Sequence, residues 1–291
     1  MRLTVVFAVH LLAIGLITSL TAAQCIVAHR GASYDAPENT LAAFNLAWAQ
    51  GADGIEADFY LSSDGQVVCI HDKDTKRTAG VKHVIAKTAY DLLRTLDVGT
   101  WKDGKYKDER MPLCAEVFAT VPPGKLMVVE LKVGPEIVEP VKRDLDSSSL
   151  RPEQILIISF NEDTVAECKR QMPNIRCHWL TGYKKNDAGQ LKPDVCEVLD
   201  TLRRTGADGL GTQANPEHVD ARFLYCLGLG GYRDFHAWTI DDLETASFYQ
   251  RLGTWGITTN RPGWLREQLG MAVGTRLSAV GQTLPHTSSG R

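Results

Sequence analysis

Eight short runs rich in β-branched and aromatic residues are spaced along this chain, each followed by a longer amphipathic stretch, and that alternation restricts the fold more than any other feature. The runs are IVAHR (26–30), GIEADFY (54–60), LMVVELK (126–132), ILIISF (155–160), RCHWLT (176–181), ADGLG (207–211), FHAWTI (235–240) and WGITTN (255–260). Helices are expected at 39–50, 114–120, 135–146, 161–171, 194–204, 216–228, 242–251 and 262–269. Several have a start signal: Asn161 stands before EDTVAECKR and Asp241 before DLETASFYQ, side chains able to accept the unpaired N–H groups of a first helical turn. Strands alternating with helices build a parallel sheet, and eight such units in roughly 250 residues predict one α/β domain, a closed (β/α)8 TIM barrel. An open doubly wound sheet is the alternative, and the first strand lacks the glycine-rich phosphate loop of its usual nucleotide-binding form.

The spacing breaks once, between residues 61 and 113. SSDGQVVCIHD has a Ser-Asp-Gly turn before an apolar run that ends at His71 and Asp72, the pattern of a hairpin strand beside the barrel mouth. In KTAYDLLRTLDVGTW, Thr88 and Asp91 have capping-box spacing before a short helix. A small insertion at about 72–112 is therefore expected over the C-terminal ends of the strands, the face on which barrel enzymes build their sites.

The opening MRLTVVFAVHLLAIGLITSLTAA has one early cation at Arg2, an apolar stretch and the small residues Ala22 and Ala23, the pattern of a secretory signal over 1–23. A membrane anchor fits less well, because no basic stop-transfer cluster follows. The barrel domain is expected over 24–270, in the periplasm or outside the cell, with no stable membrane insertion after cleavage; the small and polar stretch 271–291 is expected to be a frayed tail. A formal net charge of −3 with no lysine or arginine tract argues against a nucleic-acid surface. Seven cysteines permit disulfides in an oxidising compartment, with Cys168 and Cys177 the first pair to test, while no CxxC spacing points to metal or redox chemistry.

Side chains alternate across a strand, so Glu56 and Asp58 share one face, as do Glu130 and Lys132. Charges left unpaired inside a barrel would cost several kcal/mol each, so these groups must pair or hold a cation. Three carboxylates on adjacent strands suit Ca²⁺ or Mg²⁺ and, without convergent His and Cys ligands, disfavour zinc. An ion-pair network with Arg30 and Lys132 fits the same pattern equally well. His29 ends the first strand and His71 the hairpin strand, placed to share the roles of general base and general acid. Arg30 offers a fork matched to phosphate oxygens and Lys132 a second point charge. Trp238, late in the seventh run, either lines the mouth or fills the barrel. His178 and His236 sit early or midway in strands and are weaker candidates, and Ser159 lacks a nucleophile-elbow context.

With these residues in view, HRG, PENT, EADFYLSSDGQVVCIHD, LDVGTWKDGKYKDERMPLCAEVF, VVELK and AWTI followed by GITTN resemble the motifs of the glycerophosphodiester phosphodiesterase family, in the family's order, over about residues 26–269. The resemblance implies His29 and His71 as the acid/base pair, Arg30 and Lys132 on the phosphate, and Glu56, Asp58 and Glu130 as ligands of one divalent cation, Ca²⁺ or Mg²⁺. Glu38 of PENT falls at a motif position, where it either holds Arg30 or the ion from behind or caps the helix that follows. The implied reaction is metal-dependent hydrolysis of a small glycerophosphodiester to glycerol phosphate and an alcohol. A phospholipase C-like or sphingomyelinase D-like enzyme acting on intact lipids, and an exported protein that binds phosphodiesters without cleaving them, are the competing readings. Neither the alcohol nor the oligomeric state is legible.

Overall fold

A computed structural model describes residues 24–271, so the expected signal segment and nearly all of the expected tail lie outside the described residues. Its framework is a closed ring of eight parallel strands: β1 (Cys25–His29), β2 (Gly54–Leu61), β4 (Leu126–Leu131), β5 (Ile155–Ser159), β6 (Arg176–Thr181), β9 (Gly209–Gln213), β10 (Phe235–Trp238) and β11 (Gly256–Thr259). Pairing of β1 with both β11 and β2 closes the ring. A hairpin strand, β3 (Val67–Cys69), runs antiparallel on the end of β2. A second interruption, not expected from the spacing, is the exposed two-residue ladder β7 (Lys184–Lys185) with β8 (Leu191–Lys192), closed by an Asn186-to-Gly189 turn.

The outer layer consists of α1 (Leu41–Ala49), α4 (Cys114–Ala119), α5 (Val138–Asp146), α6 (Glu162–Gln171), α7 (Val195–Thr205), α8 (Ala221–Leu229), α9 (Leu243–Arg251) and α10 (Pro262–Gln268). Two short helices, α2 (Lys76–Ala79) and α3 (Tyr90–Leu93), lie in the insertion. Caps fix several starts. Asn161 accepts from Thr164 N, and Asp194 with Glu197 forms a reciprocal box at α7. At α9 the cap is Asp242 rather than Asp241, whose carboxylate is committed elsewhere. Helix α8 begins at Ala221, capped by Asp220, five residues later than the spacing suggests. The expected box of Thr88 and Asp91 does not form: Ala89 is the cap position, and Tyr90 N donates to Asp64 from the hairpin turn.

Apolar side chains divide as a barrel requires. Val27, Leu126, Val128, Leu156, Ile158 and Leu180 fill the interior, while a larger cluster including Phe44, Ile55, Val129, Ile157 and Val198 packs the sheet against the helices. The insertion has its own core of Val68, Ile70, Ile85, Tyr90, Leu93 and Met111, so it folds as a rigid cover rather than a loose loop. Cys168 on α6 and Cys177 on β6 are buried and not linked. Among the described residues no helix is long and apolar enough to cross a membrane.

Candidate active site

The strand ends place the charges. A cavity of about 160 Å³ opens at the C-terminal face of the barrel, with His29, Arg30, Glu56, His71, Glu130 and Lys132 on its wall. Phe160, His236 and Trp238 line it from the facing strands. Glu56, Asp58 and Glu130 are 2 %, 0 % and 8 % exposed, and one oxygen from each lies within 4.8 Å of the others. Parallel register explains the meeting, since Asp58 lies opposite Glu130 and His29 opposite Glu56.

Electrostatics separate the three acids. Burial, then the charges of Asp58 and Glu130, push Glu56 well above the usual carboxylate range. Burial and Asp58 raise Glu130 to about 7 despite Lys132. Burial alone would raise Asp58 too, yet Lys132 and Arg30 hold it below its ordinary value. Lys132 Nζ sits 2.7 Å from Glu130 Oε1 and 3.2 Å from Asp58 Oδ1, while Arg30 Nε lies 3.1 Å from Asp58 Oδ2. Two cations thus face three acids, and Glu56 Oε1 is buried without a hydrogen-bond partner among the described residues. An unsatisfied oxygen in an oxygen-only cluster with one surplus negative charge is the donor set a hard divalent cation takes.

The HRG and PENT segments hold this cluster through unusual backbone. Arg30 and Asn39 have φ of 55° and 57°. Arg30 N donates to Glu56 Oε2, and Asn39 Nδ2 to Asp58 Oδ2 at 2.8 Å. A Cβ on Gly31 would stand 2.6 Å from the Ala43 backbone, so only glycine lets β1 turn against α1. Glu38 does not cap α1, which Thr40 caps. Its carboxylate instead accepts from Arg30 at 3.0 Å and from both terminal nitrogens of Arg77 at 2.7 and 2.8 Å. Arg77 Nε also donates to Asp72 at 2.7 Å, and Asp72 lies 2.7 Å from His71 Nδ1. An ion-pair chain therefore joins the first strand to the insertion and aims His71.

His29 is set from the other side. Its Nδ1 lies 2.7 Å from Asn260 Oδ1. Asp241 takes both Asn260 Nδ2 and Asn260 N, and a carboxylate only accepts, so the amide oxygen must face the imidazole. That makes Nδ1 the donor and leaves the Nε2 lone pair toward the cavity. Burial, then Arg30, lower the His29 pKa to about 4. Trp238 meets Phe160 edge-on, centroids 5.5 Å apart, and forms part of the mouth. Ser159 is structural, its Oγ donating to Leu131 O. All nine residues singled out from the sequence thus stand at or directly behind one cavity. Asn39, Arg77, Asp241 and Asn260 were missed; the signal for two of them was present, since Asn39 and Asn260 lie inside the PENT and GITTN motifs. His236, set aside in the sequence, also proves to line the cavity.

Comparison with known proteins gives one consistent answer. The model of the glycerophosphoryl diester phosphodiesterase family matches residues 29–264. A glycerophosphodiester phosphodiesterase of Caldanaerobacter subterraneus is 34 % identical over 156 residues, covering 52 % of this chain and 64 % of its own, so the chain spans about two thirds of that relative. The Bacillus subtilis protein YhdW is 30 % identical over 247 residues, covering 82 % of this chain and 96 % of its own. The structure of an Oleispira antarctica phosphodiesterase in complex with the product sn-glycerol-3-phosphate superposes with a TM-score of 0.75 at 27 % identity, covering 85 % of this chain and 97 % of that one.

Proposed function

The chain belongs to the glycerophosphoryl diester phosphodiesterase family, and on that footing we propose that it hydrolyses small glycerophosphodiesters to glycerol phosphate and an alcohol by histidine acid/base chemistry assisted by one divalent cation. The observation that carries this reading is the pair of differently held imidazoles, His29 and His71, on one wall with a carboxylate triad that is short of positive charge. Glu56, Asp58 and Glu130 would hold Ca²⁺ or Mg²⁺, and the cation would neutralise charge on the phosphoryl oxygens.

The two imidazoles divide the proton transfers. His29, neutral at physiological pH and tied through Nδ1 to Asn260, presents a basic Nε2 that takes the proton of the attacking hydroxyl, either water or the substrate's own glycerol hydroxyl en route to a cyclic phosphate. The attacking oxygen forms the new P–O bond as the bond to the leaving alcohol breaks, and where that oxygen is the glycerol hydroxyl a water then opens the cyclic phosphate, its P–O bond forming as the ring P–O bond breaks. His71, whose Nδ1 lies 2.7 Å from the Asp72 carboxylate, would turn its Nε2 toward the departing oxygen and give it a proton. Arg30 and Lys132 orient the phosphate and oppose its charge. Export is part of the proposal, resting on the pattern of residues 1–23, and N-terminal sequencing of the mature protein tests it.

Product assays on glycerophosphocholine test the chemistry. The rate should fall about 10²–10⁴-fold in His29→Ala and in His71→Ala, and on chelation of divalent ions. Full turnover in chelator would remove the cation from the mechanism, and absence of product from the wild type would remove the reaction.

A further inference from the structure

Besides the Arg77 chain, the insertion reaches the end of the first strand at a second place. Residues 97–110 form a loop bonded to itself around one acid: Asp97 accepts from Gly99 N at 2.9 Å, Thr100 N at 2.8 Å and Asp108 N at 3.0 Å. Val98 N donates to Glu109 O at 3.0 Å, and the Trp101 indole N–H donates to Val98 O at 2.8 Å. A Cβ on Gly99 would stand 2.0 Å from Tyr106 O, so the two limbs of the loop pack backbone on backbone.

From this loop two side chains reach the turn that follows β1. Lys102 Nζ donates to Ser33 O at 2.9 Å, and Tyr106 OH donates to Asp35 O at 3.1 Å. The Lys102 ammonium, on a half-buried residue, thus meets a backbone carbonyl rather than a carboxylate. A charged donor makes a stronger hydrogen bond than a neutral one, so the contact restrains the turn more firmly than a neutral side chain would.

The turn carries that restraint to His29. Tyr34 N donates to Asn260 O at 3.0 Å, and Ser33 Oγ lies 2.8 Å from Asn260 Oδ1 and 2.7 Å from His29 O. An amide oxygen has two lone pairs, so Asn260 Oδ1 can accept from the Ser33 hydroxyl and from His29 Nδ1 together. Ser33 therefore touches both the backbone of His29 and the amide that fixes its tautomer.

We propose that Lys102, Tyr106 and Ser33 are positioning residues for His29: the 97–110 loop clamps the Ser33–Asp35 turn, and the turn holds Asn260 so that His29 keeps Nδ1 on the amide and Nε2 toward the cavity. The proposal rests on the glycerophosphodiester reading and goes beyond it, by giving the insertion a hold on both imidazoles, through Arg77 at His71 and through Lys102 and Tyr106 at His29.

Two readouts test it, and one needs no turnover. In ring-¹⁵N spectra of the wild type, neutral His29 should carry its hydrogen on Nδ1 alone. Combining Lys102→Met with Tyr106→Phe should bring in the Nε2–H tautomer, and Ser33→Ala should do the same. With Mg²⁺ or Ca²⁺ present, each of these changes should lower kcat on glycerophosphocholine by about two- to tenfold, the effect of losing one hydrogen bond, with KM within about twofold of wild type. Lys102→Arg, which keeps a charged donor, should hold kcat above that of Lys102→Met. Lys107→Met removes an exposed charge from the same loop and should match wild type in both readouts. Urea midpoints identify a variant that has merely unfolded, and Tyr106→Phe, which removes a single oxygen, then repeats the test with the least disturbance. A His29 tautomer unchanged in both the double variant and Ser33→Ala overturns the proposal, as does a loss of kcat that Lys107→Met reproduces or a rise in KM at constant kcat. Absence of turnover in the wild type, with the tautomer still moving in the variants, would instead overturn the hydrolytic reading and leave the positioning role standing.

Discussion

Both ends of the barrel bury charge, and they do so in opposite ways. At the N-terminal floor, Asp53 is paired with Arg266, which is 2 % exposed, accepts from Ile26 N at 3.0 Å and has Lys125 within 3.6 Å. At the C-terminal rim, Glu56, Asp58 and Glu130 share Arg30 and Lys132, and Glu56 keeps an unsatisfied oxygen. At the floor one acid meets two cations of the chain. The rim is one positive charge short, which makes it a poor contributor to stability and a ready binding site.

The largest expected contrast comes from removing one member at each end. Arg266→Ala leaves Lys125 as the cation facing the buried Asp53 carboxylate and should lower the unfolding free energy by up to about 3–5 kcal/mol, read by urea denaturation, with kcat of the folded fraction unchanged. Glu56→Gln should do the reverse. Glycerophosphocholine turnover should fall at least about a hundredfold, as expected for losing several kcal/mol of charge stabilisation, while the cation-free protein should melt at least as high as wild type because a carboxyl disfavoured in its ionised form has gone. If Glu56→Gln destabilised the cation-free protein as Arg266→Ala does, the rim would be an ordinary ion-pair network like the floor.

A smaller effect separates the groups that do chemistry from those that aim them. Asn260→Ala should reduce kcat about ten- to hundredfold, the range seen when a supporting partner of a site residue is lost, because His29 can then adopt either tautomer. Calorimetric affinity for the cation should not change, since Asn260 touches none of the three acids. A parallel loss of cation affinity would mean that Asn260 supports the whole rim rather than His29 alone.

The same division explains what the sequence discloses. All eight barrel strands and their helices follow from periodicity, because period 2 and period 3.6 are set by burial, which the side chains record directly. The charges of the rim are legible for the same reason: Glu56 and Asp58, or Glu130 and Lys132, are two apart on one strand, so their common face is fixed. What periodicity does not carry is which partner a polar side chain takes. Asp241 reads as a helix cap, yet Thr259 and Asn260 claim its carboxylate and Asp242 caps instead. Thr88 and Asp91 read as a capping box, yet Asp64, distant in sequence, takes the role. His236 reads as a buried strand residue, and only the assembled barrel shows that it also lines the cavity. Such choices depend on elements far apart in the chain, where local pattern gives no information.

The smallest predicted effect is also the most direct measure of the difference between rim and floor: the pH dependence of cation binding. A protonated carboxyl cannot serve as an anionic ligand, and the cation-free fold holds Glu130 near 7 and Glu56 well above its usual value. Cation affinity should therefore rise as pH climbs through 7, by about tenfold between pH 6 and 8 for one released proton, with buffers of different ionisation enthalpy counting the protons. Stability supplies the sign check. Acids whose folded pKa is raised stabilise the cation-free protein below the unfolded value, and that stability is lost as pH rises through 7. His29, lowered to about 4, works the other way, losing stability as pH falls from about 6.5 toward 4. The two windows oppose one another below pH 6.5, so the clean interval is 6.5 to 8. There the melting temperature of the cation-free protein should fall with pH, and saturating Ca²⁺ or Mg²⁺ should flatten or reverse the slope. An affinity that is level across this interval would mean the three acids are already ionised and neutralised by Arg30 and Lys132, leaving nothing at the rim that the floor does not also have.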